Sequence, residues 1–514
     1  MRKEAGIILF CLSATVLLFV YFLSVPLFGD TLGYGLKTVR WISENSFSPL
    51  PAGQGRGEQA MGHPTFFFWL WALLAGVLGH TSAVARFLPA VFTFFSLWGM
   101  YRLGSQLSDR LTGWFCTLAL LASPLFLIQS MRPMPESAVV AAVVWSIYFY
   151  TRGRYTSAAV LCALGVVFRE QAIFLAASYF FAEITETGFR KPRRLLLFLA
   201  PGLVVVVTGL INLAVNGYFF FPTYMGQGSE LVQGWFRERL RFFSAHLLAE
   251  DFRWLAVTAA LAGMVKGRSK DTWSVPMMLV LLFPALLGPP ERLLFVALAF
   301  CVVILHLIRE RLYNTKLTWV FILFPALIVA FHVLIVLVSP DSALNLFRYL
   351  LSVYPAVLVS VLVMMRRYLG RNAAAVLSSV FIISTASANR AIHYPWQPDT
   401  SLAWAEVMRD YGEACRFAAS LEDTVLVPDL CDLYFTSPEC GVLDSQVPVR
   451  NIIEGGKLEE GIEYTMVTES SINGEEDLDI TRELIPEGSE LVRLDSPSWN
   501  YGPSSINIYR VVPR

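Results

Sequence analysis

A chain of 514 residues that is 55% hydrophobic, only 16% charged and positive in mean hydropathy has the composition of a polytopic membrane protein, which excludes a soluble enzyme. The net charge of zero conceals a division: after Arg390 there are 8 Lys+Arg against 23 Asp+Glu, so the first 390 residues carry +15 and the remainder −15. The positive charge is dispersed in short loops rather than gathered on one face, which argues against nucleic acid as a partner and marks membrane topology instead.

The chain opens with Met1-Arg2-Lys3-Glu4 and an apolar run from Gly6 to Val25. Without a small-x-small cleavage site, and with more spans downstream, it reads as a retained signal-anchor helix. Asp30 stands just past the outer end of this run and opens a polar loop that extends to Gly62-His63-Pro64. At ~20 residues per span, further runs fall near 83 to 103, 112 to 131, 136 to 151, 155 to 168, 171 to 187, 195 to 216, 252 to 265, 274 to 289, 291 to 308, 317 to 338, 345 to 364 and 373 to 389. With the first, near 6 to 27, that predicts about thirteen transmembrane helices. The stretch Thr65 to Leu78 is short and lacks a basic flank, so it is read as interfacial.

With the N-terminus inside and that stretch left out, every basic cluster falls on the inner face: Tyr101 to Arg110, Arg152-Gly153-Arg154, Arg190 to Arg194, Lys266 to Lys270, Arg309 to Lys316, and Arg366-Arg367 with Arg371. The outer face then collects the loops 29–82 and 217–251, the segments Arg132-Pro133-Met134-Pro135-Glu136 and Phe168-Arg169-Glu170-Gln171, the stretch Ser339 to Arg348, and the acidic tail. Chemistry on that face has no nucleotide pool, so its substrate is a lipid or something already exported. In the loop 217–251, aromatic and basic residues alternate (Trp235-Phe236-Arg237-Glu238-Arg239-Leu240-Arg241-Phe242-Phe243), as suits a segment lying at lipid level, either a spacer or a lid. The seven cysteines show no metal-ligand spacing.

Four features, in order, carry a resemblance. An acid follows the first helix (Asp30), then a His-Pro leads into aromatics (His63-Pro64-Thr65-Phe66-Phe67-Phe68-Trp69). Ala85-Arg86-Phe87-Leu88-Pro89-Ala90 opens the next span, and Arg348-Tyr349-Leu350-Leu351-Ser352-Val353-Tyr354-Pro355 comes late in the membrane part. Over roughly residues 1 to 390 the chain resembles the GT-C superfamily of lipid-dependent glycosyltransferases of the family 39/83 type, which includes aminoarabinose transferases and relatives of protein O-mannosyltransferases. The resemblance implies an α-helical polytopic membrane domain (1–390), while the tail (391–514), read from its own pattern and from loop charge, is a soluble extracytoplasmic α/β domain. The implied activity is sugar transfer from a polyprenyl-phosphate donor to an extracytoplasmic acceptor, at the outer face of the cytoplasmic membrane. The chain departs from the family in Thr31, where many relatives carry a second acid, in Thr65 for a second proline, and in Glu136 for Asp. It also lacks Trp-Trp-Asp-Tyr-Gly, which argues against N-glycosylation of sequons.

Transfer from a polyprenyl phosphate has a phosphate leaving group that needs positive charge, and an acceptor hydroxyl or amine that needs a base. Asp30 is the candidate base and Glu136 its partner, either orienting the acceptor or, with Asp30, holding Mg²⁺ or Mn²⁺. Arg132, Arg169 and Arg348 lie at outer helix ends, where a guanidinium fork suits phosphate. Arg348 and the adjacent Tyr349 are favoured by the resemblance, and His63 is a further donor. His306 and His332 lie within apolar spans and are expected to pack against neighbouring helices.

In the tail, Ser401 to Leu421 has helical spacing, and Thr424 to Pro428, Glu463 to Val467 and Ser505 to Val512 read as strands. Cys431 and Cys440 are spaced to close a loop by a disulfide, with Cys415 as competitor. A non-catalytic scaffold or a transporter in envelope polysaccharide assembly is the alternative class, although the internal repeats and mid-membrane acids typical of transporters are not visible.

Overall fold

The computed structural model describes residues 4–47, 64–217, 315–334, 347–390, 401–421, 423–427, 432–443, 446–451, 463–470, 490–494, 499–501 and 504–512, with a few single positions between 219 and 259. His63, the loop 217–251 but for a few positions, most of the run 252 to 265, the runs 274 to 289 and 291 to 308, and Cys431 lie outside the described residues. The disulfide expectation falls with Cys431; its proposed partner Cys440 is buried.

Among the described residues, helices occupy ten of the expected runs. In chain order the α-helices are α1 (Ala5–Leu23), α2 (Lys37–Glu44), α3 (Phe66–Leu78), α4 (Ser82–Leu107), α5 (Arg110–Ala122), α6 (Pro124–Ser130), α7 (Glu136–Thr151), α8 (Tyr155–Phe168), α9 (Ile173–Thr187) and α10 (Pro192–Asn216), of which α2 and α3 lie outside those runs and α5 and α6 share one. After the undescribed stretch come α11 (Thr315–Leu334), α12 (Phe347–Leu350), α13 (Tyr354–Leu369) and α14 (Arg371–Ala388). Helix is the only open-ended way to satisfy the backbone polar groups of such apolar runs in hydrocarbon. Among the described residues, four helical segments are long and apolar enough to cross a bilayer: Ala5–Leu23, Ser82–Leu107, Pro192–Val215 and Arg348–Leu369.

One expected run is broken. The stretch 112 to 131 divides into α5 and α6, bent by 72° at Ser123, because Pro124 excludes Ser123 from helical geometry and holds it extended at φ −66, ψ 121. The thirteen residues of α3 rise about 20 Å, less than a hydrocarbon core. Trp69 on α3 donates to the carbonyl of Phe47 at 2.9 Å and so ties α3 to the end of α2.

The segment Arg348–Leu369 is buried without interruption from Arg348 to Met365. By contrast, α1 and α10 present Leu9, Leu12, Val16, Leu203 and Val207 outward, as lipid-facing helices do. Glu183 on α9 is fully enclosed and accepts from Lys316 Nζ on α11 at 2.9 and 3.1 Å and from the Tyr150 hydroxyl on α7 at 3.1 Å. Arg194 on α10 lies 3.6 Å away, so four helices meet on one carboxylate. Lys316→Met is expected to lower stability by about 3 kcal/mol, because it leaves a buried anion underpaired. Thermal unfolding in detergent checks this: the Glu183→Gln/Lys316→Met double variant should recover much of the loss, and equal melting of wild type and the single variant would remove the assigned role.

The C-terminal residues form a six-stranded mixed sheet and two helices, α15 (Ala403–Ala419) and α16 (Asp432–Thr436). The strands are β1 (Thr424–Val427), β2 (Val449–Asn451), β3 (Tyr464–Ser470), β4 (Glu490–Arg493), β5 (Trp499–Tyr501) and β6 (Ser504–Val512). Their order is β2-β1-β3-β6-β4, with β5 pairing β6; β1 runs parallel to β2 and β3, and β6 antiparallel to β3, β4 and β5. Alternation sorts the faces: Val425 and Ile508 join the main core, while Leu426, Tyr464, Met466, Tyr509 and Val511 form a separate cluster.

Candidate active site

The segment between α1 and α2 is built around Gly29 and Asp30. Gly29 has φ +54, in the left-handed region that favours glycine, and a Cβ there would lie 2.8 Å from Arg132 Nη2. Both constraints let Arg132 lie flat against the backbone. Its Nε donates to Thr31 Oγ1 at 3.1 Å and Nη2 to the Phe28 carbonyl at 3.4 Å, with the guanidinium 5.0 Å from the Phe28 ring centre. The chain then turns through the wider helical turn Thr31–Leu36 into α2.

Arg348, at the start of this buried segment, ion-pairs directly with Asp30 and places Nε 3.5 Å from Glu136 Oε1. Glu136 follows Pro135 as the first residue of α7, where the helix dipole favours an anion. Arg169 Nη1 lies 4.0 Å from the same Glu136 oxygen, donates to the Tyr349 hydroxyl through Nη2, and sits 4.5 Å from the centre of that ring. The structure thus brings together Asp30, Glu136, Arg132, Arg169, Arg348 and Tyr349, six of the seven residues singled out in the sequence. The seventh, His63, lies outside the described residues. Arg132 lies against the backbone of the Asp30 segment, close enough for its charge to lower the Asp30 carboxyl.

The electrostatics are lopsided. Glu136, Arg132, Arg169 and Arg348 are buried, and neither Glu136 carboxylate oxygen accepts a hydrogen bond among the described residues. Asp30 alone keeps an open side, with 44% of its side-chain surface exposed, although protein atoms crowd the rest of it. Burial pushes its carboxyl up, but Arg348, Arg132 and Arg169 together outweigh burial and hold it at about 2. Folding therefore favours the ionised form: this contribution to stability is present above the ordinary 3.8 and is lost as pH falls toward about 2.

Two residues that the sequence did not single out for the site adjoin it. His332 on α11 stacks on Tyr349 with ring centres 5.5 Å apart, its Nδ1 2.8 Å from the Ile328 carbonyl. That contact assigns the proton to Nδ1, leaving Nε2 to accept from the Gln171 amide at 3.2 Å. His332 does pack against neighbouring helices, as its apolar surroundings imply, but one neighbour belongs to the site.

The donor set is poor for Mg²⁺ or Mn²⁺. Asp30 and Glu136 are already faced by Arg348 and Arg169, with the charge of Arg132 also acting on Asp30, and among the described residues no third His, Cys, Asp or Glu joins them. A divalent cation placed there would meet a cluster that is cationic overall.

Residues 62–212 match the sequence profile of the dolichyl-phosphate-mannose-protein mannosyltransferase family, under a third of the chain. The match spans Arg132, Glu136 and Arg169 and upholds the resemblance to the GT-C glycosyltransferases drawn from the residues. Among solved structures, the chain is similar to ArnT from Cupriavidus metallidurans bound to undecaprenyl phosphate, at 14% identity over 99% of this chain and 98% of that one, TM-score 0.47. The apo state of the same protein gives 13% identity, the same coverages and a TM-score of 0.39. The apo Archaeoglobus fulgidus oligosaccharyltransferase gives 13% identity over 89% of this chain and 69% of that one, TM-score 0.37. No curated protein matches the chain.

Proposed function

We propose that the chain is a membrane glycosyltransferase that moves a sugar from a polyprenyl-phosphate donor to an extracytoplasmic acceptor, whether lipid, glycan or protein. The observation that carries this is the charge of the site: three arginines converge on two carboxylates at one helix-end cluster, leaving an excess positive charge for a phosphate. The family match over residues 62–212, to enzymes named for a dolichyl-phosphate sugar donor, supports the same donor class. In this reading the site faces outward at the cytoplasmic membrane, with the N-terminus inside and the acidic tail outside.

Asp30 removes the acceptor's proton as its oxygen or nitrogen attacks the anomeric carbon. The carbon–phosphate oxygen bond breaks and its electron pair departs with the phosphate, held by Arg348 and Arg169. One base and direct displacement give inversion. A carboxyl held at about 2 is a weak base. The phosphate therefore also activates its own catalyst, because by engaging Arg348 it withdraws the cation that depresses Asp30. Glu136 keeps Arg348 and Arg169 aimed throughout. No step passes through a metal.

Purified protein given radiolabelled polyprenyl-phosphate sugars and a panel of envelope acceptors tests the reading. Label is expected in one acceptor class, and transfer should persist in a chelator. Failure to bind any such lipid would favour the scaffold instead, and chelator loss restored by Mg²⁺ would overturn the metal-free assignment.

A further inference from the structure

At the end of the helices opposite Asp30 there is a second polar cluster that the proposed transfer does not use. Glu4 precedes α1, and the nineteen residues of that helix carry the chain about 28 Å to the Asp30 segment. The helix α7 likewise begins at Glu136 and ends beside Tyr148 and Arg152. Here a cavity of about 360 Å³ is lined by Glu4, Arg102, Ser105, Arg110, Tyr148 and Arg152, among others.

Its chemistry is that of a small anion site. Three arginines and one carboxylate line it. Arg102 donates to both Glu4 oxygens, at 2.7 and 2.6 Å, and to the Tyr148 hydroxyl at 2.5 Å; Arg152 donates to that same hydroxyl at 2.8 Å. Two guanidiniums therefore already converge on a single oxygen, and with Arg110 the cavity keeps a surplus of positive charge. From Glu4 at the cavity, α1 carries an exposed apolar track of Leu9, Leu12, Val16 and Val20 away from the charged rim. A phosphate fits the guanidiniums and an acyl chain fits the track, and only a lipid supplies both.

We infer that this cavity binds the phosphate headgroup of an anionic phospholipid at the membrane face opposite Asp30. The site rests on the membrane-spanning reading of α1 and α4 and is independent of glycosyl transfer. By bridging Arg102, Arg110 and Arg152, the headgroup fastens α1, α4, α5 and α7 together at the ends remote from the two carboxylates.

Native mass spectrometry of the full chain, released from detergent with either phosphatidylglycerol or phosphatidylcholine, tests this without reference to activity. Wild type is expected to retain phosphatidylglycerol selectively. Arg110→Gln/Arg152→Gln, both exposed side chains, should weaken retention roughly thirtyfold, the scale for two basic groups at a membrane surface. Tyr148→Phe, which removes the shared acceptor and no charge, should weaken it severalfold. Equal retention by the double variant, or of phosphatidylcholine by wild type, would overturn the site. Displacement of the lipid by inorganic phosphate at equal concentration would overturn the lipid assignment in favour of a soluble anion.

Discussion

Asp30→Asn is expected to reduce turnover by roughly 10²- to 10⁴-fold, the range for loss of a general base, while leaving donor affinity unchanged or higher. The second half of that result follows from the ion pair: wild-type Arg348 must leave Asp30 to meet the phosphate, and with Asn there is no carboxylate to compete. A variant that merely misfolds would lose both, so parallel measurement of lipid binding and single-turnover rate separates the cases. Equal turnover by wild type and variant would refute the assigned base. In the free protein the carboxyl sits at about 2, so kcat/KM should show no acid limb from Asp30 above about pH 3. With donor bound, Arg348 is shared and the carboxyl rises, so any acid limb belongs to kcat.

The second large effect is at Arg348. Replacing it by Met strips Asp30 of its direct partner and leaves Glu136 with Arg169 at 4.0 Å. Turnover should fall by roughly 10²- to 10³-fold, as when a donor aimed at developing charge is lost, and donor affinity should fall with it. Arg348→Lys should lie between: it keeps the charge, but a single ammonium does not reproduce a fork spanning Asp30 and Glu136. Donor binding by the Met variant as tight as wild type would sink the phosphate role. The two variants are thus expected to move affinity in different directions.

The convergence of Asp30, Glu136, Arg169 and Arg348 was legible in the sequence because membrane helices confine their ends to two thin layers. Once loop charge assigned each end to a layer, polar residues remote in sequence had few places to go. What that layer reading lacks is resolution within the plane. Arg132 belongs to the same set by position, yet its seat against Thr31 and the Phe28 carbonyl depends on the φ angle of Gly29, which composition does not reveal. Gln171 and His332 were hidden differently: an apolar span gives no sign of which neighbour a buried histidine stacks on. The break at Ser123 was available from Pro124 but was masked by the hydrophobicity on both sides. In the C-terminal part, α15, β3 and β6 followed from periodicity and the four-residue β1 from its unbroken apolar run, whereas β2, β4 and β5, at three or four residues each with polar residues between, carry neither signal.

The Asp30 segment is also gripped from the C-terminal side. The Leu27 amide donates to the Cys440 carbonyl at 3.0 Å, and Arg40 donates to Ser437 at 2.6 Å and to Glu439 at 2.9 Å. Arg409 on α15 reaches Ser24 at 2.9 Å and the Tyr21 carbonyl at 3.1 Å. The backbone from Tyr21 to Arg40 is therefore splinted on both sides of the carboxylate by residues some 400 positions later in the chain. Truncating the protein after the last membrane helix would not yield a smaller enzyme lacking an accessory part. It would leave Asp30 on a segment stripped of these contacts, so the two parts of the chain are expected to tolerate separation poorly.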